Sequence, residues 1–239
     1  MKALLEDIAE KLRANAYSNE EHVRLSLVSR LLQQLGWDIW NPKEVNTEYP
    51  AVPSEDSTRV DMALFVRPTE PSVYIEVKMV GKIGRNLSEI ERQMRDYNRN
   101  NTAAFSVLTD GRSWRFYLSR AGGEFSQKCF KELDLLNDSE TLEDIEVVLD
   151  GFLSKENLAN GRALRDAEQY LNSTQRQRAI RDSLPLARRD RDYHPELSEA
   201  QLLARRVAAL GYEIDETEAI EAIRSGLSQM QTSDSFANL

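Results

Sequence analysis

The sequence predicts an α/β fold in which a mixed central sheet is flanked by helices and is followed by an all-helical C-terminal region. Apolar residues first recur at helical spacing, then form short β-branched and aromatic runs separated by turn residues up to about residue 133. Beyond that point only helical patterns remain. We therefore predict one domain at 1–135 and a helical region at 136–239, with a disordered tail from about residue 232.

Two helices are predicted before the first strand, at 2–14 and 20–35, because apolar residues recur at helical spacing in both. Ser18 and Glu21 have the spacing of a capping box that would start the second helix, and Gly36 is placed to end it. The apolar runs that follow predict strands. They lie at 37–40, 45–49, 60–66, 73–77, 105–108 and 114–118.

Turn residues indicate how these strands are connected. The segment 67–72 contains two prolines among polar residues, which favours a hairpin between the strands on either side. Asp110-Gly111 predicts a second hairpin. Between the two hairpins, Ser88 and Glu91 have capping-box spacing and predict the start of a helix.

Composition limits the kind of protein and the kind of metal site. The single Cys129 excludes an internal disulfide and a cysteine-based zinc cluster. Two histidines, His22 and His194, leave little room for a histidine-ligated ion, so a bound metal is expected to have oxygen ligands. No apolar stretch approaches the roughly 20 residues of a membrane span, and the first residues lack a signal-peptide core. We therefore expect a cytoplasmic protein with no membrane partner.

The most informative functional signal is a set of charged residues inside apolar strands. Strand alternation places Glu76 and Lys78 on one face of their strand, and Asp61 is the only charged residue of the run 60–66. If the two strands form a hairpin, Asp61 and Glu76 lie side by side. Carboxylates so placed suit Mg²⁺ or Mn²⁺, and Lys78 would stabilise charge on a phosphate, as phosphodiester hydrolysis requires. An exposed ion pair and a strand-end aspartate explain the same residues equally well.

Gln93 and Tyr97 are spaced four residues apart and share one helix face with Ile90. A packing face would explain this spacing. Because the helix follows the Glu-x-Lys motif, we favour a functional role for both residues.

Taken in order, these motifs resemble the PD-(D/E)xK nuclease fold, and most closely the N-terminal nuclease domain of type I restriction enzyme R subunits and its stand-alone relatives. The resemblance covers about 19–118 and implies a restriction-endonuclease-like sheet. One departure is the absence of the G-x-x-x-x-G-K-[ST] motif of the helicase motor that follows in the restriction subunits. The matching segments are 19–24, 31–38, 59–61, 75–78, Gln93-x-x-x-Tyr97 and 107–114.

The resemblance implies a metal-dependent DNA endonuclease that acts in restriction or phage defence, with any specificity or motor subunit supplied in trans. Asp61 and Glu76 would bind the metal, and Lys78 would orient water or stabilise the transition state. Glu20 would take an outer or second-metal position, with Glu21 as the alternative. Further roles are implied for Gln93, which would position substrate or water, and for Tyr97, which would support it. The alternative function is a weakly active or inactive nuclease-fold module for binding or assembly.

The charge distribution bears on DNA binding. A net charge of −9 argues against a simple DNA-binding protein, because phosphate binding depends on clustered lysine and arginine. However, 82–120 carries eight basic and four acidic residues, whereas 131–150 carries one basic and eight acidic residues. The basic segment would suit a nuclease, and a solvated charged surface explains it equally well.

The C-terminal region has apolar stripes at 142–153 and 202–210, separated by 162–191 with eight arginines and four acids. The arginine-rich segment is consistent with a long helix that reaches DNA or a partner, although a solvated helix or flexible connector is more common. Since both stripes must be buried, we predict a homodimer whose two active sites would address the two strands of a duplex.

Overall fold

Six strands form one mixed sheet whose strand order, β1-β2-β3-β4-β5-β6, is also their order along the chain. The computed structural model describes residues 1–51, 59–99 and 103–225. Neighbouring strands are antiparallel except β3 and β4, which are parallel and are joined through a helix. The predicted α/β class with a mixed sheet is confirmed. The strands are Val45–Pro50, Arg59–Leu64, Val73–Val77, Phe105–Thr109, Ser113–Leu118 and Cys129–Asp134.

Helices cover both faces of this sheet. A π-helical stretch, Arg24–Val28, joins α2 to α3, and a 3-10 turn, Phe125–Lys128, precedes β6. Residues 216–225 are also helical. The helices α1 to α8 are Lys2–Arg13, Glu20–Val23, Ser29–Gln34, Ile83–Tyr97, Leu142–Leu153, Lys155–Ala159, Arg162–Asp190 and Glu199–Ala209.

Strand alternation separates two apolar cores. On one face, residues such as Met62 and Ile75 pack with the helices α1 to α3, with α5 and with the start of α7. On the other face, Ala63 and Tyr74 pack with Tyr97 at the end of α4, and further apolar side chains of β4 and β5 pack under the same helix. Odd and even positions of β2 and β3 therefore point to different helical layers.

The second predicted helix is confirmed, but its N-cap is not the predicted one. The Asn19 side chain accepts a hydrogen bond of 2.8 Å from the backbone N–H of His22, whereas Ser18 Oγ contacts the His22 ring. An asparagine side chain reaches the first turn as readily as serine does. The helix ends where Gly36 takes a φ of +90°, as predicted from its glycine.

Two other predictions were wrong, and one strand was missed. Residues 37–40 form no strand, since Trp37 instead serves as a core anchor that is 2% exposed and donates a hydrogen bond to the Leu153 carbonyl. Strand β6 was not predicted. Helix α4 begins at Ile83 and passes through a kink at Asn86, so Ser88 does not cap it. Glu91 instead is buried and accepts a hydrogen bond from the Tyr117 hydroxyl.

Contacts divide the chain into one compact unit at Met1–Leu171 and a second that begins at Asn172. The strands end at Asp134, close to the predicted boundary at residue 135, but the first unit continues because α5 buries Ile145 and Leu149 in its core. No described helix is long and apolar enough to cross a membrane.

In the second unit, the later part of α7 packs with α8 and the helical residues 216–225 through Leu184, Leu203 and Val207. A capping box of Ser198 and Gln201 starts α8. The tail from residue 232, which was predicted to be disordered, lies outside the described residues.

Both apolar stripes of the C-terminal region pack within their own units. The need to bury them was the reason for predicting a homodimer, and this reason no longer applies. The arginine-rich segment is helical, and it is held by ion pairs inside the second unit. Arg176 binds Glu218 at 2.7 Å, and Arg188 binds Glu199 at 2.8 Å. These two arginines stabilise the helical unit and are not free to contact DNA.

Gly111→Ala is expected to destabilise the first unit by roughly 2–5 kcal/mol, which unfolding in denaturant would measure. Gly111 has a φ of +85°, where a side chain costs roughly 1–2 kcal/mol. An added Cβ would also lie 2.8 Å from Leu27 Cδ1 and 3.1 Å from Val23 Cγ1, and overpacking of a core costs about 1–3 kcal/mol.

Gly81→Ala is the matched control, because Gly81 has a φ of +80° but no atom within 4 Å of an added Cβ. It should show only the backbone cost of roughly 1–2 kcal/mol. Equal losses in the two variants would contradict the proposed overlap between the β4–β5 turn and the helix beneath it.

Candidate active site

Asp61 and Glu76 lie next to each other where the β2–β3 ladder ends. The last paired residues are Met62 and Ile75, and one step beyond them Asp61 Oδ2 accepts a hydrogen bond of 2.7 Å from the backbone N–H of Val77. The side chain of Asp61 thus replaces the backbone partner that Val77 lacks on this side. This hydrogen bond fixes the half-buried carboxylate beside Glu76.

Glu76 is the most buried carboxylate of the site, with 2% of its surface exposed. Its Oε1 accepts a hydrogen bond of 2.6 Å from Lys78 Nζ. Its Oε2 is buried and has no hydrogen-bond partner among the described residues. A buried acceptor of this kind costs free energy unless a further donor or a cation reaches it.

The site holds more negative than positive charge. Burial and then the charge of Asp61 raise the pKa of Glu76 to about 7, although Lys78 opposes both. Burial also raises the pKa of Asp61, with a further contribution from Glu20. Burial alone would lower the pKa of Lys78, but Glu76, Glu20 and Asp61 together raise it. Burial is the main cause for Glu76, whereas the nearby carboxylates stabilise the charged form of Lys78. Both partners of the ion pair therefore have raised pKa values.

The structure distinguishes Glu20 from Glu21, the alternative at the start of α2. Glu21 is held by Arg24 at 2.6 Å, whereas the exposed Glu20 side chain forms no hydrogen bond or ion pair within the described residues. Its charge nevertheless acts on Asp61 and Glu76. The described residues contain no group of three or more His, Cys, Asp or Glu side chains that could hold a metal, so Glu20 is near the two carboxylates but not gathered with them.

Tyr97 also lies near this site, and Gln93 is joined to it. Gln93 Nε2 donates a hydrogen bond to the Tyr97 hydroxyl, and the Tyr97 ring is 6% exposed. Burial raises the pKa of Tyr97, and Glu76 and Asp61 raise it further. Tyr97 therefore keeps its proton at neutral pH and presents a hydroxyl group close to both carboxylates.

The basic segment at 82–120 divides into two parts. Just before and on β5, Arg112 and Arg115 form ion pairs with acidic residues of β6. On and just before α4, the side chains of three exposed cations form no ion pair or hydrogen bond within the described residues. They are Lys82, Arg85 and Arg92. The helix that carries Gln93 and Tyr97 thus also carries unpaired positive charge.

Sequence patterns did not reveal two residues at the border of the site. Glu48 lies in β1 between the pairs Thr47–Met62 and Tyr49–Val60, level with Asp61, and has a φ of +52°. A residue other than glycine in this conformation costs on the order of 1 kcal/mol or more, and such residues cluster at functional sites. Arg24 binds the Glu48 carboxylate at 2.6 Å. The three-residue spacing of Glu21 and Arg24 indicated only the ion pair between those two residues, and it did not indicate the contact with Glu48.

Comparison with known proteins gave a match to one family model. Residues 19–134 match the family described as type I restriction enzyme R protein N terminus. This part of the chain is similar to that family. The matched region begins at the N-cap of α2 and ends with the last residue of β6, so it contains every residue of the candidate site. Neither a search of curated proteins nor a search of solved structures returned a match.

Proposed function

We propose that this protein is a metal-dependent DNA endonuclease of the PD-(D/E)xK type, which hydrolyses phosphodiester bonds in restriction or phage defence. The observation that carries the proposal is the buried Glu76, with one oxygen bound to Lys78, the other without a partner, and Asp61 beside it. The family match of 19–134 to restriction enzyme R proteins supports DNA as the substrate.

Asp61 and Glu76 fit a Mg²⁺ or Mn²⁺ ion. Mg²⁺ is typically held by one or two carboxylates together with water and substrate phosphate, so a protein site of two carboxylates is sufficient. The unpartnered Glu76 Oε2 is the atom that a cation would satisfy. When bound, such an ion activates water and offsets charge on the phosphate oxygens.

The remaining side chains have complementary roles in this proposal. Lys78 Nζ, which is held by Glu76 at 2.6 Å, places a positive charge where the phosphate gains negative charge in the transition state. Gln93 positions the substrate or a water molecule, and its hydrogen bond to Tyr97 holds the amide in place. The unpaired cations of α4, Arg85 and Arg92, contact DNA phosphates away from the scissile bond.

We propose that a translocating or specificity subunit acts together with this nuclease domain in trans. Without such a subunit, cleavage is expected to be slow and to show little sequence preference.

The test is Mn²⁺-dependent cleavage of supercoiled, linear and single-stranded DNA, together with calorimetric titration of Mn²⁺ into the protein without DNA. We expect cleavage that requires the metal, and Mn²⁺ binding that Asp61→Asn weakens by at least about tenfold because a metal ligand loses its charge. If Mn²⁺ bound only weakly and independently of Asp61, a nuclease-fold module for binding or assembly would be the better interpretation.

A further inference from the structure

Arg24 joins two acidic side chains that come from different elements of the fold. Its Nη2 lies 2.6 Å from Glu21 Oε2 in α2, and its Nη1 lies 2.6 Å from Glu48 Oε1 in the edge strand β1. The Arg24 side chain is 18% exposed. The planar guanidinium group of arginine is suited to holding two carboxylates in a fixed geometry, which a lysine cannot do equally well.

Both ends of this bridge have unusual backbone conformations. Arg24 is the first residue of the π-helical stretch Arg24–Val28, and such stretches occur frequently at functional sites. Glu48 has a φ of +52° at the level of Asp61 in the β1–β2 pairing. A single side-chain contact therefore connects an irregular helical turn to a strained strand residue, directly beside the candidate metal site.

This contact also bears on Glu20. Glu20 is the first residue of α2, and its side chain forms no hydrogen bond or ion pair within the described residues. Its charge nevertheless raises the pKa values of Asp61 and Glu76. Its neighbour Glu21 is fixed by Arg24, and Arg24 in turn is fixed to β1. The bridge thus ties the first turn of α2 to the edge strand that pairs with β2.

We propose that Arg24 is a positioning residue of the metal site, which places Glu20 next to Asp61 by binding Glu21 and Glu48 together. This inference rests on the proposed nuclease function and adds a role that the catalytic motifs do not contain. Arg24 acts through geometry, because its own positive charge lies close to Asp61 and opposes a divalent cation there.

The direction in which Mn²⁺ affinity changes when Arg24 is removed distinguishes a positioning role from a purely electrostatic one. If Arg24 acted only through its charge, its removal would strengthen Mn²⁺ binding. If it positions Glu20, Arg24→Ala should weaken Mn²⁺ binding by about tenfold or more, the usual size of the effect when an outer partner of a metal ligand is lost. Titration of Mn²⁺ into the DNA-free protein would measure this difference independently of cleavage.

A double-mutant cycle with Glu20→Gln gives the second readout. In the unmutated background, Glu20→Gln should weaken Mn²⁺ binding. In the Arg24→Ala background, Glu20→Gln should have no further effect, since Glu20 is already displaced, whereas independent effects would add. Arg30→Ala is the matched control: Arg30 also lies on the helix that follows Glu20, it binds Asp7 at 2.7 Å, and its removal should leave Mn²⁺ affinity unchanged.

Arg24→Lys covers the case in which Arg24→Ala does not fold, because it keeps the charge and changes only the bridging geometry. We expect it to weaken Mn²⁺ binding as well. Unchanged or tighter binding in Arg24→Lys or Arg24→Ala, with Asp61-dependent binding intact, would overturn the role of Arg24 and leave the nuclease proposal standing. Absence of Asp61-dependent Mn²⁺ binding in the unmutated protein would overturn both.

Discussion

Lys78→Ala should lower the rate of Mn²⁺-dependent DNA cleavage by about 10²- to 10³-fold while the protein stays folded, because removal of one group that stabilises transition-state charge has effects of this size. Lys78 Nζ lies 2.6 Å from Glu76 Oε1 and is the cation held against the two carboxylates. The Lys78 side chain is 20% exposed, so its truncation leaves no large internal cavity. Single-turnover cleavage at saturating Mn²⁺ would measure the loss.

Lys155→Ala provides the control for this variant. Lys155 also forms an ion pair with a glutamate, Glu44, at 2.7 Å, but it lies in α6 away from the carboxylate site. Its removal should change the cleavage rate by less than about twofold. Wild-type cleavage in purified, folded Lys78→Ala protein would exclude this site as the catalytic centre.

Glu76→Gln should stabilise the metal-free protein at pH 8 by up to roughly 3 kcal/mol. The pKa of Glu76 is about 7 in the folded protein and 4.5 in an ordinary environment, because burial and Asp61 disfavour its charge. The folded state therefore holds this proton more tightly than the unfolded state. Its contribution to stability is fully present below pH 4.5 and is lost as the pH rises through about 7. The measured gain will be smaller than the upper value, since Lys78 loses its charged partner in the variant.

The pH dependence separates this effect from a general change in packing. The difference in stability between Glu76→Gln and the wild type should be small near pH 4.5 and should grow up to pH 8. Mn²⁺ should raise the melting temperature of the wild type and not that of Glu76→Gln, because a ligand stabilises only the state that binds it. Thermal unfolding by circular dichroism over this pH range would test both statements.

Glu44→Gln is expected to change the stability of the protein in the opposite direction from Glu76→Gln. A hydrogen bond from Lys155 lowers the pKa of Glu44, so its charged form stabilises the fold above the ordinary pKa. This variant should lose stability at pH 8. If the stabilities of Glu44→Gln and Glu76→Gln changed in the same direction with pH, the pH dependence would not result from the burial of Glu76.

Sequence patterns predicted the parts of the fold that depend on local signals. Asp110-Gly111 and the proline-containing segment 67–72 marked two hairpins, and both occur in the sheet. Strand alternation placed Glu76 and Lys78 on one face, and the hairpin placed Asp61 beside them. These short-range rules were sufficient to bring the three charged residues together, although their catalytic roles remain predictions.

The missed features depend on tertiary contacts. Strand β6, Cys129–Asp134, has charged residues among its apolar ones and is a strand because β5 pairs with it. Helix α4 starts without a side-chain cap, so no residue marked its first turn. The left-handed Glu48 was not foreseeable, because glutamate does not favour this conformation and the bridge through Arg24 joins residues 24 positions apart.

The identity of strand order and chain order has a consequence for how the protein folds. Each new strand pairs with the strand synthesised just before it, so the sheet can grow at a single edge as the chain leaves the ribosome. Only the α4 crossover between β3 and β4 requires a longer loop to close. Pairing between sequence neighbours lowers the contact order, which favours fast folding. Asp61 and Glu76 would then meet in an early hairpin, before α4 and the later strands bury them.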